Sequence, residues 1–435
     1  MELQSETMVL NPKRERKGPT GRASWYPYYA SFSQSFARGL IASISLSPKS
    51  RILDPWNGSG TTIAAATSEG HLGFGFDINP VMVIAAKARL LGRASKESIQ
   101  PLLSEICIRA GNSRPPTHLG RREPLSAWLG EDSCVSIRRI EGAIQHLLVK
   151  TNFCSLLTDA ASVNELSDLA SFFYVALFRT LRRLLASFFA TNPTWVKKPC
   201  SNQGRLRPSF DNAVNVFRGE VTAMVQALDQ ELEPSENCSA LVSIASSDSI
   251  PTRQGTIDCV LTSPPYCTRI DYAVATSIEL ALLGIDSENG FNQLRRSMIG
   301  TATVLPSPPS ISNLWGETCL NFLEDVSKHP SKASAGYYLK NHLQYFDGMF
   351  KSFKEISRVI KRGGLCILVV QDSHYKEVRN NLPQICIEMC ESSGFSFQKK
   401  VDFEQMNTMA GRNPRTRQYR FNACATESVV FLDRM

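Results

Sequence analysis

From Arg51 onward the apolar and polar positions follow a repeating order. A short apolar run ends in a glycine-rich turn, a helix-like Ala/Ile stretch follows, and a second strand pattern closes at Phe76-Asp77. Asn79 then opens a helix as its cap, with Pro80 preset for the first turn. Between about 94 and 235 the pattern changes. Leu169 to Phe189 and Phe210 to Leu232 carry apolar residues at helical spacing with few strand signals between them, which predicts a mostly helical insertion. Strand patterns resume at Ser239 to Ile244 and Ile257 to Leu261, and a long helical pattern runs from about Gly336 to Ile360 and stops at Gly363-Gly364. Leu365 to Val370 is the unbroken apolar run of a buried central strand, and a helix near Glu377 to Ser392 and strands near Phe395 to Phe403 and Ser428 to Leu432 complete the order. Such alternation predicts an α/β protein with an open, doubly wound sheet covered by helices on both faces. The expected division is a basic mobile tail over 1–23, a first half of the α/β domain over 24–93, the helical insertion over 94–237 and the second half over 238–435.

Composition narrows the classes without choosing among them. Apolar residues make up 43% and charged residues 20%, which excludes a disordered chain, and the 435 residues allow either two or three domains or one large decorated domain. The formal charge of +8 fits a polyanionic partner without requiring one. Twelve cysteines contain no C-x-x-C pair, and Cys386 and Cys390, one helical turn apart, read as half-buried thiols. A reducing, cytoplasmic setting is therefore expected. Met1 to Leu10 shows no secretory pattern, and Phe172 to Phe178 falls well short of the ~20 residues that span a bilayer, so no membrane role is expected. Six dispersed histidines lack metal-ligand spacing, so no metal site is expected.

Three constellations carry chemistry. The first is Asp54-Pro55-Trp56-Asn57-Gly58-Ser59-Gly60-Thr61-Thr62, where the first strand should end and a helix begin. Gly58 and Gly60 allow unusual torsions and close backbone approach, and free N–H groups at the helix start suit an anion. The loop lacks the lysine of a phosphate-binding P-loop and the third glycine of a dinucleotide fingerprint. The second is Asp77, about 20 residues beyond the turn, where an α/β nucleotide site places an acceptor for ribose hydroxyls. The third is Thr262-Ser263-Pro264-Pro265-Tyr266, directly after a strand pattern. Two prolines end a strand in a rigid turn and leave the Pro264 carbonyl free as an acceptor, Ser263 supplies a second acceptor, and Tyr266 offers an aromatic face. Such a set can stack a planar base and grip its exocyclic amine.

Together these residues resemble the S-adenosylmethionine-dependent amino-methyltransferases that modify DNA at N4 of cytosine or N6 of adenine. Residues 54–62 look like that family's motif I, Asp77 like its acidic motif II position, and Ser263-Pro264-Pro265-Tyr266 like its catalytic motif IV. Trp25-Tyr26-Pro27-Tyr28-Tyr29 through Phe32 and Leu40-Ile41 looks like motif X, Asp248 stands where motif III offers a carboxylate near the adenine, and Arg358 to Gly364 resembles a later sheet element. The likeness covers about 25–90 and 240–435. It implies a seven-stranded mixed sheet of the Rossmann-like methyltransferase kind and S-adenosylmethionine as methyl donor. It implies double-stranded DNA as partner, allows a cognate restriction endonuclease as companion without requiring one, and implies direct transfer without a covalent enzyme intermediate. Asp54, Gly58, Gly60, Thr61, Asp77 and Asp248 would hold the cofactor, and Ser263, Pro264, Pro265 and Tyr266 would act on the base. Serine at the head of the tetrapeptide points to N4 of cytosine. N6 of adenine, an RNA base and a non-catalytic DNA-recognition module stand as alternatives.

For target recognition the sequence offers two regions. The insertion holds Arg179, Arg182, Arg183, Lys197, Lys198, Arg205 and Arg207 with Trp195 among them, a set suited to phosphate contact and stacking. Arg295 to Ser334, rich in Ser and Pro, reads as a lid or loop over the base. Arg412, Arg415, Arg417 and Arg420 read as phosphate contacts or as a solvated hairpin.

Overall fold

The computed structural model describes residues 9–13, 18–27, 31–113, 123–149, 160–190, 195–228, 239–268, 270–286, 290–405 and 425–435. Helix α1 (Gln34–Ser43) precedes β1 (Arg51–Asp54), α2 (Thr61–Ser68), β2 (Leu72–Asp77) and α3 (Pro80–Arg89). The insertion supplies α4 (Lys96–Asn112), α5 (Glu131–Leu148), α6 (Ala160–Glu165), α7 (Asp168–Leu184) and α8 (Phe210–Leu228). The second half runs β3 (Ala240–Ile244), β4 (Ile257–Thr262), α9 (Tyr272–Ala275), α10 (Ser277–Leu282), α11 (Phe291–Ser297), α12 (Glu317–Lys328), α13 (Leu339–Val359) and β5 (Ile360–Gln371). A small hairpin, β6 (Ser373–Tyr375) with β7 (Val378–Asn380), then α14 (Leu382–Glu391), β8 (Phe395–Gln405) and β9 (Ala425–Arg434) complete it.

The sheet has seven strands in the order β3-β2-β1-β4-β5-β9-β8. The first five are parallel, and β9 runs antiparallel to both β5 and β8. This is the doubly wound α/β sheet expected from the pattern, in the mixed, seven-stranded Rossmann-like form that the resemblance implied. Alternate residues of the central strands point to opposite faces. Ile52, Cys259 and Ile367 join α1 and α2 in one core, whereas Leu53, Val260 and Leu368 join α12, α13 and α14 in the other. One segment departs from the expectation. The stretch read as a helix from about Glu377 begins with the β6–β7 hairpin, turned by Lys376 in the left-handed region at φ 54°, and the helix starts only at Leu382.

The insertion packs as a third core against α3 and α10. Its centre is α7, where Phe172 to Phe178 are all wholly buried. Trp25 and Tyr26, which the resemblance assigns to motif X, enter this core, and the Trp25 indole N–H donates to the Met224 carbonyl at 3.0 Å. Tyr28 and Tyr29 lie outside the described residues, as do Arg412, Arg415, Arg417 and Arg420.

Here the reading of the insertion's arginines is corrected. Arg182 pairs with Glu279, which has no exposure, and also donates to the Tyr26 hydroxyl at 2.9 Å and the Ala275 carbonyl at 3.1 Å. Arg179 and Arg183 both pair with Glu220, at 2.7 and 2.8 Å. Arg182, with Arg179 through the Ser24 and Trp25 carbonyls at 3.0 Å, fastens the insertion to the rest of the chain, whereas Arg183 ties α7 to α8 within it. A buried carboxylate left without its cation is strongly unfavourable. Among the described residues no helix is long and apolar enough to cross a membrane, and no cluster of His, Cys, Asp and Glu has a metal-binding arrangement.

Replacing Arg182 by alanine should therefore lower the unfolding free energy by about 3–5 kcal/mol, since Glu279 then stays buried and unpaired. Arg183→Ala, whose side chain is 68% exposed, should change it by less than about 1 kcal/mol. Chemical denaturation of the two variants checks this, and equal losses would contradict the tether.

Candidate active site

Strands β1 and β4 are neighbours, but the chain winds outward from them in opposite directions, through β2 and β3 on one side and β5 on the other. At such a reversal an open sheet leaves a crevice beyond the carboxyl ends of its strands. The two strand ends are joined there by Asp54. Its Oδ1 accepts from the Thr262 hydroxyl at 2.6 Å and the Trp56 N–H at 3.1 Å, and its Oδ2 accepts from the Thr62 hydroxyl at 2.7 Å. Burial raises the Asp54 carboxyl to about 6, against the pull of the Thr262, Thr62 and Trp56 donors.

The glycine-rich loop is shaped by its own hydrogen bonds. Gly58 (φ 50°) donates its N–H to Asp77 Oδ2 at 2.9 Å, and Gly60 (φ 83°) caps α2. A Cβ on Gly60 would lie 2.8 Å from the Ala86 side chain, so both the torsion and the helix contact require glycine. Thr61 is held by Ser31 at 3.1 Å and by Arg89 at 3.3 Å. Asp77 ends β2, and its Oδ1 accepts from the Asn79 N–H at 2.8 Å. Burial raises this carboxyl also to about 6, opposed by the Asn79 and Gly58 donors and aided by the charge of Asp54.

Four successive strand ends open onto one cleft of about 710 Å³, open to solvent. Pro55 and Trp56 come from the loop after β1, Asp77 to Asn79 from that after β2, Ala245 to Ser247 from that after β3, and Ser263 to Tyr266 from that after β4. Of the six residues expected to hold a cofactor, Asp77 lines the cleft. Asp54, Gly58, Gly60 and Thr61 build the loop beneath it, and Asp248 lies outside, exposed, its carboxylate taken by the Ser246 hydroxyl at 2.5 Å. Neighbouring Ser246 and Ser247 line the cleft in its place.

All four tetrapeptide residues line the cleft. The buried Tyr345 hydroxyl donates to the Pro265 carbonyl at 2.7 Å and so fixes the turn. No described residue hydrogen-bonds the Ser263 hydroxyl or the Pro264 carbonyl, which leaves two acceptors side by side. Trp56 carries a buried indole N–H without a partner among the described residues.

Sequence reasoning missed several neighbours. Tyr272 lines the cleft, and burial keeps its phenol protonated far above the usual range, opposed by the Tyr266 backbone and aided by the Asp77 charge. Ser297, Met298 and Ile299 line the opposite wall, at the start of the stretch read as a lid. Gly300 (φ 81°) follows, where a Cβ would stand 3.2 Å from the Tyr266 carbonyl. The one signal for this wall was the loop-like composition after Arg295.

Comparison with known proteins places this geometry in context. No family model matches the chain. It is 25% identical over 293 residues to Type II methyltransferase M.BsoBI of Geobacillus stearothermophilus, covering 63% of this chain and 55% of that protein. It is 30% identical over 157 residues to Type II methyltransferase M.AvaI of Nostoc sp., covering 33% and 31%. Against Type II methyltransferase M.MvaI of Kocuria varians it is 23% identical over 390 residues, covering 82% and 78%. The chain thus spans about half or less of the first two relatives, and its similarity is to Type II methyltransferases. A solved geranyl diphosphate methyltransferase in complex with GPP and sinefungin aligns with 96% of this chain and 86% of its own at 8% identity and a TM-score of 0.32, too slight a likeness to add to the sheet order.

The raised pKa of Asp54 gives a linkage test. Its ordinary value, 3.8, applies to the unfolded chain, so the folded state holds the proton more tightly. The stabilising effect is full below about 4 and is lost as pH rises through about 6, a total of about 3 kcal/mol. Between pH 7 and pH 4 the wild type should gain up to about that much stability relative to Asp54→Asn. Parallel stability curves for the two proteins would contradict the buried carboxyl.

Proposed function

We propose that the protein transfers the methyl group of S-adenosylmethionine to N4 of cytosine in double-stranded DNA. The observation that carries the reading is the meeting of Asp77 and the Ser263-Pro264-Pro265-Tyr266 turn in one cleft at the reversal of strand order. The similarity to Type II methyltransferases supports it.

The cleft residues fit such a cofactor. A carboxylate offers about four acceptor positions, and Asp77 uses two on Gly58 and Asn79, which leaves two for a ribose diol. The unpartnered indole N–H of Trp56 is a donor awaiting an acceptor, and Met82 and Ile78 give the pocket an apolar wall for a purine. When bound, the sulfonium supplies an electrophilic methyl group.

The protein's own task is to make the exocyclic amine reactive and to aim it. That nitrogen shares its lone pair with the ring and is a poor nucleophile. Acceptors at Ser263 Oγ and the Pro264 carbonyl draw its hydrogens out of the ring plane and favour the positively polarised nitrogen of the transition state. Tyr266 stacks on the base and fixes its approach, and Tyr345 keeps the turn rigid through Pro265. A base carried by a duplex reaches this cleft only when extruded from the stack. Serine at the head of the turn favours N4 of cytosine.

Tyr266→Ala should lower methyl incorporation from labelled cofactor into duplex DNA roughly 100-fold while leaving cofactor affinity unchanged. Normal methylation by this variant would overturn the assignment. Asp77→Asn should weaken cofactor binding by ~10-fold or more at pH 7. Wild-type affinity should fall as pH drops through about 6, because the protonated carboxyl loses acceptor capacity, and the asparagine variant should lack that fall. Calorimetric titration across pH checks both, and a flat wild-type profile would contradict the role of Asp77.

A further inference from the structure

Several basic side chains of the insertion have a buried or half-buried carboxylate as partner. Arg138, Arg179, Arg182 and Arg183 are each compensated, by Glu123 and Glu141, by Glu220 or by Glu279. The stretch from Trp195 to Arg207 is different. It contains Lys197, Lys198, Arg205 and Arg207 and no Asp or Glu, so thirteen residues contribute four of the eight net positive charges of the chain. None of the four is in an ion pair with a described acidic residue. Trp195 stands 65% exposed at its start, the largest exposed aromatic among the described residues.

This arm is fixed in place. Lys197 N–H donates to the Phe188 carbonyl at 2.8 Å, the Trp128 indole donates to the Lys197 carbonyl at 2.8 Å, and Leu206 exchanges backbone bonds with Trp128 and Gly130 at 3.0 and 2.9 Å. It is also linked to the cleft. Phe189, which bridges Val196, lies 5.1 Å from the Arg182 guanidinium, and Arg182 holds the Ala275 carbonyl at the end of α9, whose first residue is the cleft residue Tyr272.

We propose that this arm is a contact surface for duplex DNA, with Lys197, Lys198, Arg205 and Arg207 on backbone phosphates and Trp195 against a base or sugar. A segment of thirteen residues that carries four cations and no acid beside an exposed indole, while Arg138, Arg179 and Arg182 of the same insertion are met by buried carboxylates, presents a surface whose missing counter-charges a polyanion supplies. The inference rests on the reading of DNA as substrate and adds where the duplex lies.

The test measures binding of a fluorescein-labelled, unmodified duplex as a function of salt, with cofactor affinity and thermal midpoint measured on the same proteins. Each phosphate contact contributes ~0.9 to the slope of log affinity against log salt. The variant with Lys197, Lys198, Arg205 and Arg207 all changed to alanine should bind roughly 100-fold more weakly with a slope smaller by about 3–4, and should retain cofactor affinity. Trp195→Ala should weaken binding by about 10-fold with the slope unchanged. Lys49→Ala with Arg51→Ala, at the opposite ends of the strands, should alter neither. If the quadruple variant has a lower thermal midpoint, the exposed Lys197→Glu alone should still reduce the slope. Wild-type affinity and slope in these variants would overturn the arm while leaving the DNA reading intact. A wild-type protein that binds no duplex at all would overturn both.

Discussion

Asp54 places a carboxyl group with almost no solvent contact at the point where three segments of chain meet. Its two oxygens take the Thr62 hydroxyl from the start of α2, the Thr262 hydroxyl from the end of β4 and the Trp56 N–H from the loop between. In that interior the ionised form is unfavourable unless every donor stays in position, so a shift of either strand end would expose an uncompensated charge. The two loops proposed to carry the chemistry are therefore registered against each other before any ligand arrives. Gly58 extends the same constraint to β2 by donating to Asp77, and Tyr345 extends it to the proline turn through the Pro265 carbonyl. The transfer proposed here depends on alignment to within fractions of an ångström, and this chain of short bonds would supply it.

The insertion obeys related electrostatics at larger scale. Glu279, without exposure on α10, and Glu220, on α8, are each met by arginines of α7, and Tyr26 joins the first pair through its hydroxyl. Because α10 follows α9, which begins at Tyr272, the helical layer and the cleft wall are parts of one packed body. Charges spent in this way are unavailable to a partner. The arm that begins at Trp195 holds four cations within thirteen residues and no acid of its own.

Much of this was legible in the sequence because the signals are local. Strand positions, the helices of the described part of 94–237, the capping of α3 by Asn79 and the strand-end positions of Asp77 and of Ser263 to Tyr266, all on one cleft, follow from periodicity and from residues within one turn of each other. What was not legible depends on partners far along the chain. Arg179, Arg182 and Arg183 looked like phosphate contacts because their acids stand 37 to 97 residues away. Asp54 looked like a ligand contact because the hydroxyl that occupies it is 208 residues distant. Asp248 lies outside the cleft, exposed and bonded to the Ser246 hydroxyl, while Ser246 and Ser247 line it. The β6–β7 hairpin was hidden by its length of three residues per strand, too short to show alternation.

The measurement that reaches the central claim most directly is the identity of the product base. Incubation of the protein with labelled S-adenosylmethionine and unmodified genomic DNA, digestion to nucleosides and mass analysis would yield N4-methylcytosine if the cleft works as described. N6-methyladenine would keep the arrangement of cofactor loop and proline turn but contradict the assigned base. No methylated deoxynucleoside, with cofactor binding demonstrated in the same preparation, would contradict the account as a whole.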